Sequence, residues 1–386
     1  MLDTYFSLHN HTDMSNALLG FSDAISKVPN LIQRAYDIGL TGVTITEHEG
    51  ISSHLEALKY WQNMDKDRPF TLGLGNEIYL LKEEEDLVNR ENSTYPYYHL
   101  ILTALDTEGH KQHRELSTRA WKRAYKQFIW RRPTYFSDLE EIVKPNQGHL
   151  ICSSACLGSR LDKYLLEYGV DRVVAKNGFL PWLVRIFGRE NVYLEIQPAK
   201  DDKCDQSKVN RMIWEVHEIT KLPIIATTDT HYLTKEESSI HKAFLDSQDG
   251  EREVDDFYAT AYMMDAKDLR EHLSIDFSNE QIDWIFSNSV ELGKRIKGYD
   301  LFHKPIIPQI PLNKIPDFQT EHTFENWYEK YPYFGYYSSN DLPIHERYFF
   351  YQVEQGLKDK IVSKGKDIEK YIARLDEEWK ELKIIS

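Results

Sequence analysis

Histidine and acidic residues occur at four distant places in the sequence, each at or near the end of a short run of apolar residues. They are His9-Asn10-His11, Glu47-His48, Glu77 and Asp229-Thr230-His231. Side chains alternate along an extended segment, so the HxH and DxH patterns each place two ligand-type side chains on one side. Imidazole and carboxylate donors together suit Zn, Mn or Fe. The sequence therefore indicates a site for divalent cations.

Two further residues are candidate ligands. Cys156 lies three residues past an apolar run at 150–153 and could add a thiolate, which would favour zinc. His99 precedes its apolar run, whereas the other candidates follow theirs. Taken singly, each residue has a simpler explanation, such as a structural histidine, a surface acid or a turn. Four such groups at the same end of successive predicted strands arise by chance less often than any one of them alone, so we favour the metal site.

The elements that must position these residues alternate between two types. Seven runs predict strands, at 5–8, 42–46, 71–79, 100–105, 150–153, 192–197 and 224–227. Segments with apolar residues at helical spacing lie between most of them, at 31–38, 53–61, 109–121, 170–187 and 208–220. Such alternation predicts an α/β fold of parallel strands with outer helices, and about seven units favour a barrel over a doubly wound sheet. In a barrel the carboxyl ends of the strands share one face, where the candidate ligands would converge.

The pattern changes after residue 265. Helical spacing at 268–273 and 279–296 leads into a stretch with Pro305, Pro308, Pro311 and Pro316. The last segment predicts two helices interrupted around 363–366. We therefore predict three parts: a metal-binding barrel domain at 1–265, a helical and proline-rich connector at 266–345, and a helical segment at 346–386.

Composition limits the classes of protein. The 386 residues include 47 Lys+Arg and 62 Asp+Glu, which gives a formal charge of −15 and disfavours binding of nucleic acid by a general positive field. No apolar stretch approaches the roughly 18 residues of a membrane span, so we expect no membrane association. The start of the sequence has no export signal, and three cysteines are too few for a disulfide scaffold. We expect a cytoplasmic protein.

The sequence lacks a phosphate-binding GxxxxGK[ST] loop and a GxSxG nucleophile elbow.

One local cluster of positive charge interrupts the acidic composition. Basic residues between 114 and 132 are interleaved with Trp121, Tyr125, Phe128 and Trp130, a combination that could guide a single strand by charge and stacking. A solvated helix face with core aromatics explains the cluster equally well. The candidates for a nucleic-acid contact are Arg119, Lys122, Arg123, Lys126 and Arg131.

Several stretches resemble one known family. FSLHNHTDMSN at 6–16, GLTGVTITEHEGISSHLEALKY at 39–60, LGNEIYL at 74–80, LICSSACLGSRL at 150–161 and IIATTDTHYLTKEES at 224–238 resemble the PHP (polymerase and histidinol phosphatase) domain. The version they are similar to is that at the N-terminus of the bacterial DNA polymerase III alpha subunit. The resemblance implies a distorted, TIM-like (β/α)7 barrel with three divalent metal ions, which would be Zn, Mn or Fe.

The resemblance also implies a ligand set. It assigns His9, His11, Glu77 and Asp229 to one metal, and these four residues would carry the catalysis. It assigns Glu77, His99 and Cys156 to a second metal, and His48 and His231 to a third. The ninth ligand is open, because Leu18 and Leu19 stand at the expected spacing. Asp23 is our first choice and Asp13 the alternative.

The activity implied by the resemblance is metal-dependent 3′-to-5′ exonuclease proofreading, with the primer 3′ end or a single strand of DNA as substrate. Residues 266–386 resemble the segment that joins the barrel to the polymerase palm, as FHKPIIPQIP at 302–311 and YIARLDEEWKELKII at 371–385 indicate. No segment resembles the palm's catalytic aspartates, so we expect no DNA polymerisation by this chain alone. It would be a fragment or one piece of a split, phage-type polymerase, whose partners would be a second chain carrying the palm and the sliding clamp.

Two other functions stay open on the sequence. The first is a catalytically inactive PHP module that braces a polymerase and binds a partner protein. The second is a small-molecule phosphatase of the histidinol-phosphatase type, against which the polymerase-like residues beyond 266 argue.

Overall fold

The strands form one mixed sheet. The structure is a computed structural model that describes residues 2–19, 23–92, 98–123, 132–247, 258–304 and 311–385. In these ranges the strands are β1 (Phe6–Ser7), β2 (Gly42–His48), β3 (Thr71–Leu81), β4 (Tyr98–Ala104), β5 (Thr134–Tyr135), β6 (Leu150–Ser153), β7 (Val192–Ile196) and β8 (Ile224–Ala226). All seven predicted strands are present, and of the strands in the described ranges only the short β5 was not predicted.

The sheet curls into a nearly closed barrel of seven strands. Its order is β1-β2-β3-β4-β6-β7-β8, and β5 pairs with β3 outside this path. Just beyond β1 and β8, the N–H of His11 donates to the carbonyl of Thr230 at 2.8 Å, and the N–H of Thr230 donates to the carbonyl of His9 at 3.2 Å. These two bonds join the ends of the path. The structure thus confirms the predicted TIM-like α/β barrel.

The orientation of β4 corrects the prediction that all strands are parallel. β4 runs antiparallel to both β3 and β6, while β1, β2 and β3 are mutually parallel, as are β6, β7 and β8. The chain re-enters the sheet at the end where β3 leaves it, as in a hairpin with a long connection. The beginning of β4, with His99, therefore lies at the barrel end where the other strands finish. This explains why His99 precedes its apolar run.

Helices surround the barrel and form the C-terminal part. They are α1 (Asp13–Leu19), α2 (Val28–Asp37), α3 (His54–Asn63), α4 (Glu83–Asn92), α5 (Thr107–Lys122), α6 (Phe136–Ile142), α7 (Arg160–Tyr168), α8 (Val170–Val174), α9 (Phe179–Phe187), α10 (Asp205–Thr220), α11 (Ser238–Asp246), α12 (Ala266–Leu273), α13 (Asn279–Lys294), α14 (Pro332–Tyr337), α15 (Ile344–Lys360) and α16 (Ile368–Ile385). The single helix predicted at 170–187 is wrong, because the turn-forming pair Asn177-Gly178 separates α8 from α9.

Helix α13 covers the seam between β1 and β8. Its N-terminus carries a capping box, in which Ser278 Oγ accepts the N–H of Gln281 and Gln281 Oε1 accepts the N–H of Ser278. The hydroxyl of Ser289 accepts the N–H of Phe6 at 3.1 Å, and the amide of Asn288 donates to the carbonyl of Ile224 at 2.8 Å. The helix is thus bonded to both terminal strands of the barrel path.

The described residues form two compact units, 1–301 and 302–386. Residues 266–301 pack with the barrel, and the predicted domain limits at 265 and 345 stay a prediction. In the second unit, α15 and α16 are the two predicted helices, interrupted at 361–367, and they pack with α14 around Phe334, Phe350 and Trp379. None of the helices in the described ranges is long and apolar enough to cross a membrane.

Candidate metal centre

Nine side chains from distant elements meet at one end of the barrel. They are His9, His11, Asp23, His48, Glu77, His99, Cys156, Asp229 and His231. Three sets of donor atoms within this group are close enough to hold an ion each: His9/His11/Glu77, Glu77/His99/Cys156 and His11/His48/His231. All nine are buried except His99, whose side chain is 24% exposed. The residues chosen from the sequence therefore lie together, and their roles as ligands remain a proposal.

The first set surrounds one point with four donor atoms. His9 Nε2 lies 3.1 Å from His11 Nε2 and 3.1 Å from Asp229 Oδ1. His11 Nε2 lies 3.2 Å from Glu77 Oε2 and 3.2 Å from Asp229 Oδ1. Donors placed 2.0–2.1 Å from a tetrahedral cation are about 3.3 Å from one another. The spacing of these atoms is therefore that of a metal site.

The second set is built where β4 begins and β6 ends. His99 Nδ1 lies 2.7 Å from Glu77 Oε1 and 3.3 Å from Cys156 Sγ. Gly158 lets the His99 ring approach, because a Cβ added to that glycine would lie 2.8 Å from His99 Nδ1. Glu77 directs one carboxylate oxygen to this set and the other to the first set. It is thus placed to bridge the two.

Asp23 lies beside the third set, His11/His48/His231, and adds a carboxylate to it. Its Oδ2 atom lies 2.9 Å from His48 Nε2 and 3.1 Å from His231 Nε2. The other oxygen accepts a hydrogen bond from the Tyr258 hydroxyl at 2.9 Å. Asp13, the alternative ninth ligand, instead forms an ion pair with Lys27. The geometry favours Asp23.

Unsatisfied buried atoms show that a cation fits this site. Glu77 Oε2 and Asp229 Oδ1 are buried, and no group in the described residues makes a well-aligned hydrogen bond to either atom. His9 Nε2 and His11 Nε2 face each other at 3.1 Å, so at most one of them can carry a proton between them. Imidazole nitrogens lie only 3.2 Å or less from these oxygens but are poorly aligned with them, whereas coordination of a cation would satisfy all of these buried groups together.

The ionisation of the site also favours a cation. Burial by itself would raise the pKa of Glu77, but the imidazoles of His99, His48 and His9 lower that pKa well below its usual range. Burial raises the pKa of the Cys156 thiol well above its usual value, and the negative charges of Asp229 and Glu77 raise it further. A bound cation reverses the sign of that local field and deprotonates a coordinating thiol. Metal binding is therefore coupled to proton release.

Glu195 on β7 is a candidate functional residue that the sequence analysis did not single out. Its Oε1 atom lies 2.7 Å from His9 Nδ1, and the same carboxylate accepts hydrogen bonds from Ser153 at 2.5 Å and Thr227 at 2.6 Å. A carboxylate on the second nitrogen of a ligand histidine fixes the tautomer and orientation of the ring. The available signal was an acidic residue inside a strand that is otherwise apolar or aromatic, Val192–Ile196.

Three residues at or beside the site have a strained backbone, one of them Glu49, which follows His48 and has φ 48°. Asp229 has φ 46° and Ala155, which precedes Cys156, has φ 65°. Non-glycine residues rarely adopt this left-handed region, although Asp does so more readily than most. Such strain often occurs at functional sites, where the surrounding structure holds it in place. Here it accompanies the turns that direct Asp229 and Cys156 into the site.

The predicted basic cluster carries less free charge than its sequence indicates. On α5, Arg119 pairs with Glu115, Asp138 and Glu141, and just after the helix Arg123 pairs with Asp138. Lys122 is exposed, while Lys126 and Arg131 lie outside the described residues. A contact of this cluster with nucleic acid stays a prediction.

Comparison with known proteins identifies relatives of this chain. The PHP domain family model matches residues 7–199. The chain is 34% identical over 370 residues to a DNA-directed DNA polymerase of Bacillus phage SPbeta, covering 92% of this chain and 28% of that protein. It is 27% identical over 237 residues to the DNA polymerase III subunit alpha of Borreliella burgdorferi, covering 61% and 19%. The chain thus spans less than a third of the length of these relatives.

A solved structure has a more distant similarity. The crystal structure of a candidate metal-dependent phosphoesterase from Bifidobacterium adolescentis aligns with 72% of this chain and 99% of its own length, at 14% identity and a TM-score of 0.29. A similarity of this size carries no argument about function.

Proposed function

Because the chain belongs to the PHP domain family, we propose that its barrel is a metal-dependent phosphoesterase that removes nucleotides from the 3′ end of DNA. The observation that carries the proposal is the meeting of three donor sets at one barrel end, with Glu77 shared between two of them. Adjacent cation sites of this kind are the usual arrangement for phosphoryl hydrolysis.

The donor sets, with Asp229 added to the first and with Asp23 in place of His11 in the third, give the residues that would hold the ions. His9, His11, Glu77 and Asp229 would hold the first; Glu77, His99 and Cys156 the second; Asp23, His48 and His231 the third. Bound divalent cations lower the pKa of water towards 7 and offset the charge of a phosphate. The set mixes imidazole, carboxylate and thiolate donors, which fits zinc, manganese or iron.

The protein's own groups would hold these ligands in position. Glu195 keeps the His9 ring oriented through its Nδ1 atom, and Tyr258 fixes the carboxylate of Asp23. Burial of these groups excludes water, which strengthens each electrostatic contact. The ligands are therefore arranged before a substrate arrives, which reduces the reorganisation needed for catalysis.

The relatives favour DNA over a small phosphate ester as the substrate. The similarity to the phage polymerase covers 92% of the chain, well beyond the residues that match the PHP domain itself. A function as a small-molecule phosphatase would not explain why the sequence similarity extends into the C-terminal residues. We therefore propose that the chain acts as the PHP portion of a replicative polymerase and that its nuclease activity serves proofreading.

The proposal is tested with a 5′-labelled DNA primer incubated with the purified chain and added Mn²⁺ or Zn²⁺. We expect stepwise shortening of the 3′ end that a chelator abolishes. Asp229→Asn and His11→Gln should each slow the reaction at least about 100-fold, because even indirect disturbance of a metal ligand costs about 10–100-fold.

The matched control is His149→Gln. His149 lies just before β6, at the barrel end opposite the metal centre, where it pairs with Asp106 at 2.9 Å. This variant should shorten the primer as fast as the parent. Equal rates for parent, Asp229→Asn and His11→Gln would assign the activity to a contaminant. A well-folded chain that binds no metal and cuts no primer would instead support the inactive scaffold.

A further inference from the structure

A second site of positive charge lies around a cavity of about 370 Å³ between α6, α7 and α9. Four of its lining residues are cations: Lys82, Arg160, Arg172 and Arg185. Ligand cavities of about 300–1,000 Å³ hold small organic molecules, so this one is large enough for a single nucleotide. In a chain of net charge −15 such a concentration of cations is unusual.

Three of these cations have no carboxylate partner in the part of the chain that the structure describes. Lys82, Arg172 and Arg185 are exposed and form no ion pair with any described residue. Arg160 differs, because it is buried and donates to Glu85 Oε1 at 2.9 Å and to the Tyr164 hydroxyl at 3.0 Å. The cavity therefore presents three cations that form no ion pair with a described residue, next to one guanidinium fixed by Glu85.

Aromatic residues also line the cavity, and the Arg160 guanidinium lies 5.3 Å from the centroid of the Phe136 ring. Phe136 stacks on Trp182 with ring centroids 4.0 Å apart and an interplanar angle of 22°. Trp182 is buried and its indole N–H donates to Glu140 at 3.0 Å, which fixes the pair. Phe136 is only half-buried. A fixed aromatic platform beside cations is the combination that holds a base and its phosphate in single-strand binding proteins.

The cavity wall is continuous with the second donor set. The Arg160 guanidinium lies 3.9 Å from the centroid of the Tyr98 ring, and Tyr98 precedes His99. The backbone N–H of His99 donates to the carbonyl of Gly158, two residues before Arg160. A single strand of DNA whose 3′ end lies at His99 and Cys156 would thus reach the cavity with the nucleotides that adjoin that end.

We infer that this cavity binds one nucleotide of single-stranded DNA, with the base on Phe136 and the phosphate among Lys82, Arg172 and Arg185. The choice of DNA as the ligand rests on the proposed function. The site itself differs from the α5 cluster predicted from the sequence, where Arg119 and Arg123 are already paired with acids.

The test measures binding without hydrolysis. Fluorescence anisotropy follows the full chain binding a labelled 12-nucleotide oligothymidylate whose 3′-terminal linkages are phosphorothioates. Arg172→Gln/Arg185→Gln should weaken binding at least about fivefold and reduce the slope of log K against log salt by about 0.7, because the cavity neutralises one phosphate and each single-strand phosphate contributes about 0.7. The control Lys59→Gln/Lys208→Gln removes two exposed cations from α3 and α10 and should change neither value.

A second measurement tests the aromatic wall. The parent should bind the intact strand at least about fivefold more tightly than an abasic strand of equal length, and Phe136→Leu should bring the two affinities together. Equal affinity and salt slope for the two double variants would overturn the inference, as would equal parent affinity for the intact and abasic strands. A chain that binds through Arg172 and Arg185 but never shortens a primer would keep this inference and refute the nuclease.

Discussion

A cluster of buried histidines away from the metal centre makes stability dependent on pH. His54 begins α3, and His110 and His113 lie on α5; the ring centroids of His54 and His110 are 5.2 Å apart. Neither ring nitrogen of His110 or His113 has a hydrogen-bond partner in the described residues. Burial lowers the pKa of His54 to about 3 and that of His110, which also faces the charge of Arg114, to about 4. The cluster is therefore neutral at physiological pH.

The change His110→Gln removes one of these titrating groups. In the unfolded chain His110 has a pKa of about 6.5 and takes up a proton as the pH falls below that value, whereas the folded chain takes it up only near pH 4. Stability from this residue is thus complete above pH 6.5 and is lost as the pH falls towards 4. Between pH 7.5 and 5.5 the loss is about 1.4 kcal/mol, since each pKa unit corresponds to about 1.36 kcal/mol.

Urea unfolding followed by tryptophan fluorescence measures this quantity. The parent should lose about 1.4 kcal/mol more than His110→Gln when the pH is lowered from 7.5 to 5.5. Titrating groups outside the histidine cluster, including the metal centre, are common to both chains and cancel in the difference, while burial lowers the pKa values of His54 and His113 and keeps both neutral over this pH range. His303→Gln, which removes an exposed histidine, should behave as the parent does. If His110→Gln and the parent lose the same stability, the imidazole is not held neutral in the fold and the reasoning is wrong.

Three other changes test separate parts of the structure. Glu195→Gln should lower metal affinity about 10–100-fold in a competition assay with a chelating dye while leaving the fold intact, because it loosens the orientation of His9; unchanged affinity would show that His9 needs no carboxylate. Gly158→Ala should displace the His99 ring and remove one equivalent of bound metal by elemental analysis, with little change in circular dichroism. Trp379→Ala should destabilise the C-terminal unit by about 3–5 kcal/mol in chemical denaturation, because it leaves a large cavity beside Phe334; a loss below about 1 kcal/mol would contradict the described packing.

The sequence predicted most of the barrel because its strands are continuous apolar runs. Runs such as Leu150–Ser153 are buried on both faces, so they are recognisable without knowledge of their neighbours. The direction of β4 was not predictable in this way, because a run of buried apolar residues has the same pattern whether the strand is parallel or antiparallel to its neighbours. His99 contained the necessary signal, since a ligand at the start of a run fits only an antiparallel strand.

The candidate site was predictable where ligands cluster in the sequence, and less so where contacts are long-range. The HxH and DxH pairs are local patterns. The choice between Asp23 and Asp13 depends on where α1 and the following loop fold, and Glu195 acts only through a contact with His9, 186 residues away. The pairing of Arg119 and Arg123 depends on α6, whose Asp138 follows them by 19 and 15 residues. Spacing alone cannot supply such tertiary partners.

The covering of the β1/β8 seam by α13 has a consequence for biosynthesis. Among the described residues, two backbone hydrogen bonds close the barrel path there, and the bonds to Ser289 and Asn288 come from a helix that is translated after the eight described strands. While a ribosome is still adding residues 279–294, the nascent chain has these strands but lacks the helix that holds β1 and β8 together. The barrel should therefore resist protease only after α13 has left the exit tunnel, and nascent chains arrested before that point should remain sensitive to cleavage.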